Sequence, residues 1–404
     1  MIRFGPGGIP LSCKGRTLRD SIVDLHHLGL TAMEVQFIKV SSAQRSVQPE
    51  EVGKKPRELP EKLVIQVAEP ARGGMVSELS YLDRPLTKKS QVTTLNWLMA
   101  KDYNALSAGK VLARSVDIRL TLHAPYYVDF LNSEEARQRT TNNYRWSCIL
   151  ASAMGADVVV SHLGFYGPDG PEASLTAVID RLKEVRKTLD ALPGGQRILL
   201  GIEPNGHPEV LGSRTEVLEV ARRVPRTIPV LNVPHLAVRE EIPFDDKGVI
   251  GDLMEEFSTA GHGDLYINFS GVDIQSRGTF RMTPVKKGSV KFENVAEALA
   301  DRKYDATIIS SSPLMEHDAM YLRVLYERTI AKMMAKKRAE IAAAQAPKKG
   351  KAAPPAKKEA PKPKGKQAPT PKPKGKQAPA PKAKPTAHPR AKPAQAKKNA
   401  PRRK

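Results

Sequence analysis

Hydrophobic and polar positions follow two rhythms along most of this chain. Eight short runs, IRF (2–4), AMEVQF (32–37), IRLTL (118–122), ADVVVS (156–161), ILLGIE (198–203), TIPVLN (227–232), LYINFS (265–270) and ATIISS (306–311), are close to continuously apolar. Strands of that kind are buried on both faces, as in a parallel sheet covered by helices. Between them lie segments with apolar residues at helical spacing: TLRDSIVDLHHLG, DYNALSAGKVLARS, SEEARQRTTNNYRWSCILASAMG, LTAVIDRLKEVRKTLDAL, SRTEVLEVARRV, GVIGDLMEEFSTAG, ENVAEALADR and DAMYLRVLYERTIAKMMAKK. Ser133 ahead of Glu134 and Glu135 reads as a helix start, and Gly155 as that helix's end. Eight strand–helix units predict a (β/α)8 TIM barrel, because an open doubly wound sheet usually has fewer strands.

The rhythm breaks twice. Residues 41–101, after the second strand, are rich in charge, Pro and Gly yet contain EKLVIQVAEP and QVTTLNWLMA. A structureless loop of that length is uncommon in a compact domain. The segment is therefore expected to be a strand-bearing insertion over the barrel mouth. The second break ends the barrel domain, expected at 1–346, and opens a Lys/Pro/Ala-rich tail at 347–404. From Lys348 onward there is no Val, Ile, Leu, Met or aromatic residue, and PKPKGKQAPT (361–370) is followed by PKPKGKQAPA (371–380). Such a segment has nothing to bury against the entropy of ordering, so disorder is expected.

Charge sharpens the division. The chain carries +22, and residues 348–404 hold twenty Lys or Arg against the single acid Glu359, or +19, leaving 22 − 19 = +3 for the rest. A basic segment of this density attracts a polyanion and makes its binding sensitive to salt. The expected partner is DNA, met by Lys362, Lys364, Lys366, Lys372, Lys374, Lys376, Arg402 and Arg403. A solubility extension would have the same composition, and an acidic protein or anionic surface would meet the same charge. Cys13 and Cys148 are too few for a disulfide framework, and MIRFGPGG opens no apolar signal region. No apolar run reaches the roughly 20 residues of a membrane span. A cytoplasmic location is expected, with no membrane and no obligate protein partner.

In such a barrel the chemistry sits at the C-terminal ends of the strands. The third strand ends in His123 (LTLHAPYY), the fourth in His162 (VVVSHLGFYGP) and the fifth in Glu203 (GIEPNGHP). The sixth ends in Asn232 with His235 just beyond (LNVPH), the seventh carries Asn268, and the eighth ends in Ser310, Ser311 and Ser312. Each histidine alone is as well explained by a structural hydrogen bond. Two imidazoles and a carboxylate from successive strands form a donor set that suits Zn²⁺ or another divalent ion. His26 and His27 fall in the first helix, His207 in a loop and His262 in a turn.

FGPGGIPLS, HAPYY, SHLGFYG, GIEPNG and SSPLMEHDAMYL together resemble the endonuclease IV family (AP endonuclease family 2), of the xylose-isomerase-like barrel group, and archaeal members above all. The resemblance covers residues 1–40 and 102–330. It implies a metal-dependent cleavage of the phosphodiester 5′ to an abasic site in DNA, carried out in the family by three zinc ions. It assigns ligand roles to His123, His162, Glu203 and His235, with Glu203 at the carboxylate that bridges two metals. His123, His162 and Glu203 are accordingly the expected catalytic set. The chain departs from the pattern elsewhere. Asn232 replaces an Asp, Asn268 a His and Ser311 a Glu, while Phe280 and Met282 in GTFRMTPV stand for an Asp and a His. Asn232 and Asn268 are weaker ligands at best, so fewer than three ions are expected.

Three functions follow from this reading. The first is an endonuclease IV-like phosphodiesterase acting on abasic or damaged DNA with a reduced metal site. The second is a catalytically inactive barrel that binds nucleic acid, motivated by the substituted ligands. The third is a sugar-phosphate isomerase or epimerase, which would need a second acid or a lysine at the rim.

Overall fold

In the computed structural model, residues 1–345 are described apart from Lys39 and His262, so the tail, with its expected disorder and the eight residues expected to meet DNA, and the turn expected at His262 lie outside the described part. The chain runs β1 (Ile2–Pro6), α1 (Leu18–His27), β2 (Ala32–Gln36), then β3 (Ser41–Ser46), β4 (Leu63–Ala71), β5 (Gly74–Ser77) and β6 (Gln91–Asn96). It continues through α2 (Tyr103–Ser115), β7 (Arg119–His123), α3 (Glu134–Met154), β8 (Val158–Ser161), α4 (Pro171–Asp190), β9 (Leu199–Ile202) and α5 (Arg214–Arg223). Next come β10 (Thr227–Asn232), α6 (Val233–Glu240), α7 (Lys247–Ala260), β11 (Leu265–Phe269), β12 (Gly271–Ser276) and β13 (Thr279–Thr283). The last elements are α8 (Phe292–Arg302), β14 (Ala306–Ser310) and α9 (Met315–Gln345).

Eight of these strands form one parallel sheet in the order β1-β14-β11-β10-β9-β8-β7-β2, and they are the eight apolar runs of the sequence. The sheet curls until its edges meet, where the Thr31 N–H donates to the Phe4 carbonyl at 2.9 Å. Gly5 makes that closure feasible, because a Cβ there would overlap the Ala32 carbonyl. This is the (β/α)8 barrel. Alternate strand residues point inward, and Ala32, Val158, Val160, Ile228, Val230, Tyr266 and Ile309 pack as a separate cluster inside the ring. At the N-terminal end, Arg119 closes the barrel by donating to Asp157 at 2.8 Å and to Thr307 at 2.7 Å.

The helices begin where their sequences place caps. The Ser133 hydroxyl accepts the Ala136 N–H at 3.1 Å, and Gly155 ends α3 in the left-handed region at φ 74°. Ser213 and Glu216 form a reciprocal capping box on α5. Two elements differ from the sequence reading. VPHLAVRE forms the short helix α6, and the GTFRMTPV loop is half of the antiparallel hairpin β12–β13. The insertion carries a four-stranded antiparallel sheet, ordered β3-β6-β4-β5, braced by the buried Glu51. That carboxylate takes Arg45 at 2.6 and 2.7 Å and Lys62 at 2.7 Å, which draws its pKa down to about 2.

Candidate metal centre

The centre is built by alternation along the barrel strands. His123 ends β7, His162 directly follows β8, and Glu203 directly follows β9. All three point inward and all are buried, at 1 %, 7 % and 3 % exposure. One ligand atom from each lies within 4.8 Å of the other two. Glu203 Oε2 is 3.1 Å from His123 Nε2 and 3.4 Å from His162 Nε2.

The tautomer of His123 follows from its other nitrogen. Nδ1 stands 2.6 Å from the Ala124 carbonyl, which can only accept, so Nδ1 carries the proton. Nε2 is thereby turned toward Glu203 with its lone pair. A lone pair facing a carboxylate oxygen at this distance repels unless a cation lies between them. Without a metal that cation is a proton on Nε2. Burial opposes the charge on His123, but the hydrogen bond to Glu203 and the charges of Glu34 and Glu203 outweigh it and carry its pKa up to about 9. Glu203 responds in kind: burial alone would raise it, yet the His123 hydrogen bond and the imidazoles hold it well below the usual carboxylate range. His162 behaves differently. Burial pushes it down to about 4 against the pull of Glu203, and its Nδ1 is buried without a partner.

The other half of the mouth holds the same carboxylate by neutral groups. Asn232 Oδ1 accepts the His235 N–H at 3.0 Å, which leaves its Nδ2 to donate to Glu203 Oε1 at 2.7 Å. Asn268 Nδ2 donates to that same oxygen, while its Oδ1 is buried and unpartnered. Oε1 is thus already engaged by two amides. His235 is not brought into the cluster. It lies on α6, and its Nδ1 accepts the Gly206 N–H at 3.0 Å, so the proton sits on Nε2 and no lone pair is presented. Its ring instead stacks on His162 at 6.1 Å, with Phe280 of β13 packed edge-on at 5.5 Å. Met282 accepts from Ser270 at 3.1 Å, and Ser311 Oγ is buried without a partner. His26, His27 and His207 are exposed, as their sequence positions suggest.

Some participants are absent from the sequence reading. Glu34 and Gln36 point inward from β2, and Tyr126 follows His123. The Tyr126 hydroxyl donates to Gln36 at 2.8 Å, the Gln36 amide to Glu34 at 2.9 Å, and the Tyr266 hydroxyl to Glu34 at 2.9 Å. This chain fixes the Tyr126 ring 4.5 Å from that of His123. Burial, reinforced by the charge of Glu203, raises the Glu34 pKa despite His123 and these donors. The signal was available: AMEVQ places Glu and Gln two apart on a strand that must alternate inward. Arg239 of α6 holds the loop behind Glu203, donating to the carbonyls of Asn205, His207 and Val210 at 3.1, 2.7 and 2.9 Å. SSPLMEHDA has a fastening role. Glu316 accepts the N–H groups of Leu11 and Ser12 at 2.8 and 2.9 Å, and Asp318 that of Val285 at 2.8 Å.

The buried trio, with one imidazole already oriented through its outer nitrogen, fits a single divalent ion in a His₂Glu set. It does not extend into a three-ion cluster among the described residues. Among these residues no helix is long and apolar enough to cross a membrane, and Cys13 and Cys148 are free and buried.

Known proteins place the barrel in context. A family model described as a xylose isomerase-like TIM barrel matches residues 87–323. An uncharacterized protein of Methanocaldococcus jannaschii is 24% identical over 234 residues, spanning 56% of this chain and 82% of that relative. The crystal structure of endonuclease IV from Thermus thermophilus superposes with a TM-score of 0.51 at 16% identity, covering 82% of this chain and 99% of the other. A D-tagatose 3-epimerase-like protein does so with a TM-score of 0.50 at 15% identity, over 82% and 99%. At these identities the two structures speak for the fold alone.

Proposed function

The chain belongs to the xylose isomerase-like TIM barrel family, and on that premise we propose that it is a metal-dependent phosphodiesterase acting on abasic or damaged DNA through one divalent ion. The observation that carries this reading is the convergence of His123, His162 and Glu203 on one buried point. When bound there, a divalent ion supplies Lewis acidity toward a phosphoryl oxygen and a water of lowered pKa. The chain's residues do the rest. His123 is aimed by the Ala124 carbonyl and held by Glu203 Oε2, with His162 Nε2 3.4 Å from the same oxygen. Asn232 and Asn268 fix the carboxylate through Oε1, and Tyr126 shields the pair of rings from water.

The DNA part of the reading rests on composition and on the rim. The +19 of residues 348–404, Lys362 to Arg403 among them, favours a polyanion through counterion release. Tyr126, Tyr127 and Phe165 are exposed beside the centre, with Tyr127 and Phe165 paired at 5.7 Å and Arg139 over Tyr127 at 5.4 Å. Aromatic rims of this kind stack on bases.

One observation favours the second reading, an inactive DNA-binding barrel: Glu203 is satisfied by His123, Asn232 and Asn268 without an ion. The epimerase reading would need a second acid or a lysine at the rim, and Glu34, whose charge is felt by His123 and Glu203, is only 3 % exposed. Incubation of the chain with an abasic-site duplex and each of several divalent ions tests the proposal, beside His162→Ala and Glu203→Ala. Metal-dependent incision by the parent above both variants is expected. Binding of the duplex without incision selects the inactive barrel.

A further inference from the structure

Beside the mouth, a groove of about 990 Å³ runs between α3 and the insertion. It lies at the upper end of the ~300–1,000 Å³ typical of small-ligand sites. Val40, Ser42 and Leu95 of the insertion side form one wall. Three aromatic side chains, Phe37, Tyr126 and Trp146, line the interior, and Trp146 Nε1 is buried with no hydrogen-bond partner. Gln138, Asn142 and Asn143 present side-chain amides from successive turns of α3. Among the described residues of the lining Arg139 is the one cation, and it is offset by Glu134 and Glu135.

This lining selects a class of ligand. The two acids make the groove a poor seat for phosphate, whereas aromatic faces and amides suit a flat, neutral group with donors and acceptors on its edge. Nucleobases have that chemistry, and sites for unpaired bases combine stacking with edge hydrogen bonds. Continuity with the candidate centre gives the base its origin. Tyr126 lines the groove and also packs on His123 at 4.5 Å, so the groove opens where the reacting strand would pass.

We propose that the groove between the insertion and α3 takes an unpaired nucleobase of the strand engaged at the metal centre, which makes the insertion a specificity element. The proposal rests on the nucleic-acid reading of the preceding section and adds to it the part of the substrate that is read.

The chain has two tryptophans, and Trp97 is buried against Phe37 at 5.6 Å, so a Trp97→Phe variant of the full chain leaves Trp146 as the reporter. A duplex with a single unpaired base is expected to quench Trp146 fluorescence, whereas heparin, a polyanion without bases, leaves it unchanged. In the parent background, Trp146→Leu and the milder Asn142→Leu should each weaken binding of that duplex, by about tenfold for Trp146, and leave a fully paired duplex unaffected. Equal quenching by heparin overturns the proposal. So does an unpaired-to-paired preference unchanged in both variants, or quenching by an extended peptide and not by DNA. If abasic-site incision persists while the preference is unchanged, this inference falls and the phosphodiesterase reading stands. Failure to bind any nucleic acid removes both.

Discussion

Glu203 faces two unlike neighbourhoods across the barrel mouth. On the β7–β8 side its Oε2 meets two imidazoles, and on the β10–β11 side its Oε1 meets two amides. The backbone offers equivalent strand ends to both, so the difference is one of charge and lone pairs. An imidazole can give a metal its lone pair or hold a proton in place of the metal. An amide NH₂ can only donate, and once it donates to the carboxylate it satisfies that oxygen without an ion. One half of the mouth is therefore poised for a cation and the other is closed by hydrogen bonds. Phe280 adds to the closure by packing on His235.

The comparison is broken most severely at its hub. Glu203→Ala should abolish ion binding and incision together. It should also lower stability by about 3–5 kcal/mol, because the charge on buried His123 loses its partner. Glu203→Gln, which keeps the volume, should still lose the ion, as calorimetric titration with Zn²⁺ would read. Next in size is the contrast between halves. His162→Ala should weaken ion binding by more than the roughly 10–100-fold that follows loss of an outer-shell partner, and Asn268→Ala should stay within that range. Equal losses in the two variants would erase the distinction between the halves.

A gain can be sought as well. Asn232→Asp with Asn268→His restores charge and a lone pair to the closed half. The new carboxylate would repel Glu203 until an ion arrives. Added Zn²⁺ should therefore raise the melting temperature of the double variant by more than that of the parent, with a second ion bound. The smallest effect is that of pH. His123 is protonated below about 9 in the folded chain, and its ligand form is neutral. Below about pH 9 ion binding must expel that proton, so apparent affinity should rise with pH by at most about tenfold per unit and level off above 9. Proton release measured in two buffers of different ionisation enthalpy checks the sign.

The two halves also differ in how far they could be read from residues alone. All eight barrel strands were legible, because strands buried on both faces show as uninterrupted apolar runs. The trio was legible for a related reason: strand ends in a barrel converge, so a histidine or acid ending each of three successive runs must meet. What happens beyond the strand ends was not. LNVPH looked like a ligand motif, yet Pro234 at the first turn and Asn232 as cap start α6, and this reorients His235 toward Gly206. The hairpin β12–β13 is marked only by a short alternation, Val272 and Ile274 then Phe280 and Met282, on strands that are largely exposed or half-buried rather than continuously apolar. Glu34 is masked by the otherwise apolar run that holds it, although period-2 alternation turns it inward on β2. The insertion's strands are foreshadowed by their apolar segments, but the groove it shares with α3 depends on how distant parts of the chain are brought side by side.

The number of ions bound per chain tests the asymmetry most directly. Elemental analysis of the full chain purified without chelator and saturated with Zn²⁺ should give one ion, retained in Asn268→Ala and lost in His162→Ala. Three ions in the parent, none, or one that survives His162→Ala would contradict a single centre held by His123, His162 and Glu203.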